Sequence, residues 1–377
     1  MAAAPVHIRA TLLPFGAEPE SLWVVDGRIT RTPQPDALEL APPGGFLAPG
    51  LVDAHTHLHF VDSPTARTGP AVIADNRRRH LQAGTLLLRD LGATADEVLG
   101  LAEDDGLPPV QAAGQSLLIE ERFPFFVTAA KELPSAAASQ ARAGAKWVKI
   151  FADWPGWPGT QQEPNFGPYD PVTYPTATLA STVQAAHAAG ARVAIHAFGR
   201  EAAAAGIDAG VDSIEHGWGL DEALIDKMAA RNIGWAPMVG IAPLMLLGQQ
   251  KVAEPLPGQE DWIRERLAAM GTTLNYALRH GVAVLAGTDW FPTVTLADEL
   301  AMLHKVGVSR VDALAMATTI ARRFLGVPAL DEGAPADLVL FRADPREDLA
   351  HVTRPELVML RGQVVPLTRK AAARRHG

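Results

Sequence analysis

The sequence predicts an α/β protein: a (β/α)8 TIM barrel with a small β-sandwich domain built from both termini. Three observations carry that expectation. Apolar, β-rich runs alternate with alanine-rich, helix-favouring segments through the middle of the chain. Four helix-to-strand joints carry a glycine, at Ala83-Gly84, Ala143-Gly144, Ala189-Gly190 and His280-Gly281, where a helix C-terminal cap belongs. Both ends of the chain are strand-rich and lack the alternation.

Taken in order, residues 1–46 read as short strands. SLWVVDGRITRT is two extended runs joined at Asp26-Gly27, a hairpin signal. DALELAPPGGF continues in that style. Eight runs then follow: GFLAPGLVDAH, GTLLLRDLG, PPVQAAG, AKWVKIFAD, ARVAIHAFG, VDSIEHG, NIGWAPM and GVAVLAGTD. Helix formers such as TATLASTVQAAHAAG and DEALIDKMAAR separate them. Eight such repeats over roughly 280 residues suit a barrel, whose usual size is about 250 residues. A doubly wound sheet would want a dinucleotide loop, and no G-x-G-x-x-G follows the first strand. ADLVLFRADP and LVMLRGQVVPL return to strands. The expected division is a barrel over 48–329 and a composite small domain from 1–47 plus 330–377.

Apolar residues make up 48% of the 377, enough for a sizeable core, and the net charge of −9 argues against a nucleic-acid partner. There is no cysteine, so disulfides and thiolate metal ligands are excluded. MAAAPVHIRATLLPFG lacks the charged and apolar regions of a signal peptide. IGWAPMVGIAPLMLLG is too short and too broken by proline and glycine to span a bilayer. A cytoplasmic protein is expected, with a small-molecule substrate, no nucleic acid and no membrane; a homo-oligomer is left open.

In a barrel, chemistry sits at the C-terminal ends of the strands. Those positions hold His55 and His57 on the first, Lys149 on the fourth, His196 on the fifth, His216 on the sixth and Asp289 on the eighth. Singly, such a histidine is more often a hydrogen-bonded structural residue, and such an aspartate a helix N-cap. Together they defeat the bland reading, because four of the twelve histidines fall on one rim. Convergent imidazoles and a carboxylate describe a site for Zn2+ or a similar divalent ion. Lys149 is the odd member, since an ammonium cannot ligate. It either pairs with Asp289 or Asp153, the default for a buried lysine, or reacts with CO2 to give an anionic carbamate. A cation beside metal ions would be repelled, which weighs for the carbamate.

The ordered set resembles the amidohydrolase superfamily over nearly the whole chain. GFLAPGLVDAHTH resembles its first-strand signature, and WVKIFAD, AIHAFG, GVDSIEHG and LAGTD follow in order. VVDGRI and GAPADLVLF with RGQVV resemble its small terminal domain. Lys149 and His216, in its SIEHG context, look most similar to the binuclear prolidase-like members, which cleave amide bonds in dipeptide-like or N-acyl amino-acid substrates. The resemblance implies two divalent metal ions, expected as Zn2+: one on His55, His57 and Asp289, a second on His196 and His216. N6-carboxylated Lys149 and a hydroxide would bridge them, with Asp289 passing a proton to the leaving amine. Deaminases of the superfamily carry a glutamate three residues after the fifth-strand histidine, and imidazolonepropionase-like members a glutamine. Here that position is Gly199, with Glu201 two residues later. A metal-binding glutamate after strand three would have to be Glu120 or Glu121. Several prolidase-like relatives have a polar residue or tyrosine where this chain has Phe198, which puts the usual grip on a substrate carboxylate in doubt.

Trp154, Trp157, Trp218, Trp290 and Phe291 lie beside proposed ligands. They either pack loops or line an apolar pocket for a bulky substrate. Arg89 and Arg122 are candidates to bind a carboxylate, although Arg89 could equally pair with Asp90 or Asp153. Asp153 and Phe198 join the substrate-side candidates. Behind the ligands, Asp53 is expected to orient an imidazole. His59 is expected to lie beside the site or in solvent. The competing functions are a mononuclear member acting as a deaminase or on a lactone or carbamate ester, and a non-catalytic scaffold.

Overall fold

The computed structural model describes residues 4–40, 44–60, 69–92, 96–101, 106–118, 132–153, 172–246 and 259–368. The chain begins with β1 (Val6–Leu12), β2 (Pro19–Val25), β3 (Arg28–Thr30), β4 (Leu38–Glu39) and β5 (Gly45–Pro49). Asp26 and Gly27 join β2 to β3 with φ of 48° and 76°, the two positive values a tight type I′ hairpin requires.

Strands then alternate with helices: β6 (Leu51–Thr56), α1 (Pro70–Gln82), β7 (Thr85–Asp90), β8 (Val110–Ala112), α2 (Leu133–Arg142), β9 (Trp147–Phe151), α3 (Thr176–Ala188) and β10 (Arg192–Ala197). The series continues with α4 (Arg200–Ala209), β11 (Ser213–His216), α5 (Glu222–Arg231), β12 (Gly234–Ala236), α6 (Ala242–Leu246), α7 (Gln259–Arg279), α8 (Leu296–Lys305), α9 (Arg310–Met316) and α10 (Thr319–Phe324). β13 (Leu338–Phe341), β14 (Leu357–Leu360) and β15 (Gln363–Val364) close the chain.

Strands from both ends share one eight-stranded sheet, ordered β15-β14-β13-β5-β1-β2-β3, with β4 on β1. It curls back on itself, because Ile29 N–H donates to the Ala334 carbonyl and Ala336 N–H to that of Gly27. Its inner face buries Ile8, Leu22, Val24, Leu47, Leu338 and Met359.

In the middle, β6-β7-β8 and β9-β10-β11-β12 are two parallel sheets. Leu117 bridges to Ile150 and joins them. The expected eighth strand is shorter than its sequence suggests: Val284 makes an isolated parallel bridge to Trp235. Its hydrogen bonds are shared between two neighbours. Leu285 N–H reaches the Trp235 carbonyl, while the Ala286 carbonyl accepts from Ala54 N–H. The circuit therefore returns to β6, and the α/β region is TIM-barrel-like. β6, β7 and β9 are buried at every residue, as parallel strands covered on both faces must be. The four predicted glycines all lie in the left-handed region, with φ of 79°, 107°, 90° and 80°. Among the described residues, no helix is long and apolar enough to cross a membrane.

Candidate metal centre

Because the strands run parallel, their C-terminal ends share one rim. His55 ends β6 with Thr56, and His57 follows; Lys149 is central in β9; His196 is penultimate in β10; His216 is last in β11. Asp289 follows the segment that closes the circuit. All six are buried. His216 and Asp289 take positive φ, 68° and 57°, which non-glycine residues seldom adopt and which clusters at functional sites.

The donor atoms converge. His57 Nε2 lies 3.0 Å from Asp289 Oδ1, and His55 Nε2 lies 3.5 Å from the same oxygen. One atom from each of the three falls within 4.8 Å of the others, as a shared cation requires. Lys149 Nζ is 3.2 Å from His55 Nε2. The His196 and His216 rings are 4.4 Å apart, and the His55 and His216 rings 5.7 Å apart. His216 Nδ1 is buried and makes no hydrogen bond, a state a metal ion would relieve. The donor set suits a divalent ion on chemistry alone: imidazole nitrogen and carboxylate oxygen, with no thiolate.

Ring orientation is fixed from outside. His57 Nδ1 lies 2.7 Å from the Gly92 carbonyl, which can only accept, so Nδ1 carries the proton and Nε2 faces the site. Burial, then the positive Lys149, hold the His55 imidazole well below its ordinary range. Burial likewise lowers His216 to about 4 and holds His196 well down. Burial opposes charge on Asp289, but the His57 hydrogen bond and the surrounding imidazoles outweigh it and hold the carboxyl well below the usual range. Burial also opposes charge on His57, which Asp289 nevertheless raises. The His55, His196 and His216 imidazoles, held neutral beside a firmly ionised carboxylate, make a cation receptor.

Several expected partners are different. The His55 ring is oriented by Glu215, with Nδ1 2.7 Å from Glu215 Oε2, while Asp53 accepts from the His55 backbone N–H at 3.3 Å. The sequence does offer a signal, a glutamate inside an apolar run, although strict alternation would set Glu215 and His216 on opposite faces. The positive φ of His216 breaks that period. Asp53 also accepts from Thr288 N–H at 3.0 Å and Thr288 Oγ1 at 2.7 Å, stapling β6 to the turn that carries Asp289. Arg89 is fully buried and paired with Glu215, so it cannot reach a substrate carboxylate, and its partner is neither Asp90 nor Asp153. Asp153 accepts from the Phe198 and Gly199 N–H groups at 3.0 and 2.6 Å, so its carboxylate holds the loop before α4 rather than Lys149 or a substrate. Asp90, unremarked in the sequence except as a partner for Arg89, holds the turn after His57 by accepting from Leu58 and Gly92 N–H.

Phe198 is buried face to face with His216 at 4.2 Å. Trp218 is also buried; it donates to the Pro237 carbonyl at 2.8 Å and stacks on Trp262, so it packs the wall rather than facing a ligand. Phe291 stacks on His80 at 3.7 Å. His59 is buried, not solvated, edge-on to His57 and Phe60. Trp290 is 38% exposed and meets Phe60, which itself lies 4.9 Å from His57. Glu120, Glu121, Arg122, Trp154 and Trp157 lie outside the described residues.

A family model described as the amidohydrolase family matches residues 46–365. An uncharacterized protein of Mycobacterium tuberculosis is 34% identical over 368 residues, 96% of each chain. Ochratoxinase of Aspergillus niger is 28% identical over 236 residues, 60% of this chain and 47% of its own. Among solved structures, a prolidase candidate from Bifidobacterium longum is 26% identical with a TM-score of 0.80, covering 99% of this chain and 97% of its own. The ochratoxinase structure, at 23% identity and TM-score 0.80 over 97% and 96% of the two chains, shares the fold.

Proposed function

The chain belongs to the amidohydrolase family, with prolidase-like relatives, and on that premise we propose that it is a metal-dependent hydrolase of an amide-type C–N bond. The substrate class is a dipeptide-like, N-acyl amino-acid or cyclic amide. The observation that carries the reading is the convergence of His55, His57 and Asp289 with the His57 Nδ1 proton committed to the Gly92 carbonyl. The names of the relatives, a prolidase candidate and an ochratoxinase, support a small-molecule amide substrate.

In this reading His55, His57 and Asp289 would hold one Zn2+ and His196 and His216 a second, with N6-carboxylated Lys149 as a further anionic ligand. The ions would supply Lewis acidity, lowering the pKa of water and polarising the scissile carbonyl. Asp289 takes the proton of the attacking water and passes it to the departing amine. The left-handed backbone at Asp289 turns its carboxylate toward the imidazoles, and the Asp53–Thr288 staple keeps that turn in place. Residues 48–329 form the catalytic domain, and 1–47 with 330–377 the smaller one.

A mononuclear version, acting as a deaminase or on a lactone or carbamate ester, has one observation in its favour: Lys149 already has a partner in His55. Metal analysis separates the two. About two equivalents per chain and hydrolysis of amides, from a screen of dipeptides, N-acyl amino acids, cyclic imides and lactones, support the binuclear reading. One equivalent with an unmodified Lys149 overturns it, and loss of neither metal nor turnover in Asp289→Ala overturns both.

A further inference from the structure

We propose that Arg89 and Glu215 are positioning residues that lock His55 in its Nδ1–H tautomer, so that the Nε2 lone pair faces the divalent cation; this rests on the metal-dependent reading of the site. Arg89, Glu215 and His55 are all fully buried. Three donor groups make four contacts with the Glu215 carboxylate. His55 Nδ1 lies 2.7 Å from Oε2; Arg89 Nη2 lies 3.0 Å from Oε1 and 3.1 Å from Oε2; the Ser213 hydroxyl donates to Oε1. Arg89 donates to both oxygens and Ser213 to Oε1, so the carboxylate meets His55 as an acceptor and Nδ1 donates.

The other ring nitrogen gives an independent reading. Lys149 Nζ lies 3.2 Å from His55 Nε2, and while the uncarboxylated amine is protonated it has only donors, so Nε2 accepts. Arg89 also controls the backbone here. Its Nε donates to the carbonyl of Ala54, the residue before His55, and its Nη1 lies 3.1 Å from the Ser213 hydroxyl. The guanidinium rests over the Trp147 ring at 4.6 Å, which closes off the side it could turn to. A planar fork is needed for so many directed contacts, and lysine would supply only a point charge. The relay thus runs from the barrel interior through Glu215 to one imidazole nitrogen. Removing such a carboxylate partner from a ligating histidine typically costs 10–100-fold in metal affinity.

The test begins with wild-type, metal-free protein labelled with 15N-histidine, using His55→Gln to assign the His55 signals. Long-range 1H–15N spectra should show His55 protonated on Nδ1. An Nε2–H tautomer overturns the proposal whether or not any variant folds. Glu215→Gln and Arg89→Met should then bind Zn2+ about 10–100-fold more weakly in competition with a chelator. Arg89→Lys should recover part of the loss. Folded variants that bind Zn2+ as tightly as wild type overturn the relay. If wild type itself binds no Zn2+, the proposed function fails, and the tautomer spectrum still decides the relay.

Discussion

Lys149 Nζ stands 3.2 Å from His55 Nε2, inside the ring of proposed ligands. Burial pulls its amine from 10.5 to about 8, so a neutral fraction is present at neutral pH and grows as pH rises. That neutral amine adds to CO2 and releases a proton, giving the carbamate. With 13C-bicarbonate and Zn2+, wild-type protein should show a carbamate carbonyl resonance that strengthens from pH 7 to 9. Lys149→Met should lack it and lose metal. Metal-loaded wild type without the resonance would rule the carbamate out.

Three buried acids make stability depend on pH. Burial raises Asp53 and Asp153 from 3.8 to about 7, and Glu299 from 4.5 to about 8. Between those values the folded protein holds protons that the unfolded chain has released. The stabilisation is therefore complete below about pH 4 and is lost as pH rises through 7 to 8. Buried His59 and His80, lowered to about 3, act with the opposite sign below pH 6.5, so comparison with variants isolates the acids. Urea unfolding of metal-free protein should show a shallower fall from pH 5 to 8 in Asp153→Asn and in Glu299→Gln. Slopes equal to wild type would contradict the assignment.

Gly287 lets the closing segment pack directly on the first ligand. A Cβ there would lie 2.7 Å from His55 Cβ and 2.9 Å from its backbone nitrogen. Gly287→Ala should cost ~1–3 kcal/mol by overpacking and should weaken Zn2+ binding. Gly190→Ala is the control. Its φ of +90° is strained, but nothing lies within 4 Å of the new Cβ, so stability falls by about 1 kcal/mol with metal binding intact. Equal Zn2+ affinity in the two variants would show that the close approach does not matter.

Trp290 and Phe60 form an aromatic edge beside His57 and Asp289. Trp290→Ala should raise KM for substrates with an aromatic acyl group roughly tenfold, the equivalent of about 1.4 kcal/mol, and leave Zn2+ content unchanged. An unchanged KM across aromatic and aliphatic substrates would remove Trp290 from the pocket.

Much of the site was legible because burying a polar group in an apolar run is costly. That cost marks His55, Lys149, His196, His216 and Asp289 against their valines, isoleucines and alanines, and the strand-helix alternation puts them on one rim. The Asp26-Gly27 hairpin and the glycine caps were legible for a similar reason: their backbone angles exclude most side chains.

Which polar group answers which was decided only by the tertiary structure. Glu215 and His55 are 160 residues apart and sit on strands that are not neighbours, so their meeting depends on how the curled sheets bring heights into line. Local periodicity gives a residue's face, never its height. Nor is the face regular at His216, where a left-handed backbone lets Glu215 and His216 serve one centre. For want of that information Arg89 and Asp153 stand in the sequence both as substrate-side candidates and as possible partners for other charged groups. Once the circuit closes, nearer partners satisfy both: Glu215 for the guanidinium, and the Phe198 and Gly199 amides for the carboxylate. The sequence determined the residue types, their order and the rim they occupy. The folded chain determined the pairings, because a buried charge or hydrogen-bonding group is settled by whatever lies within about 3 Å of it.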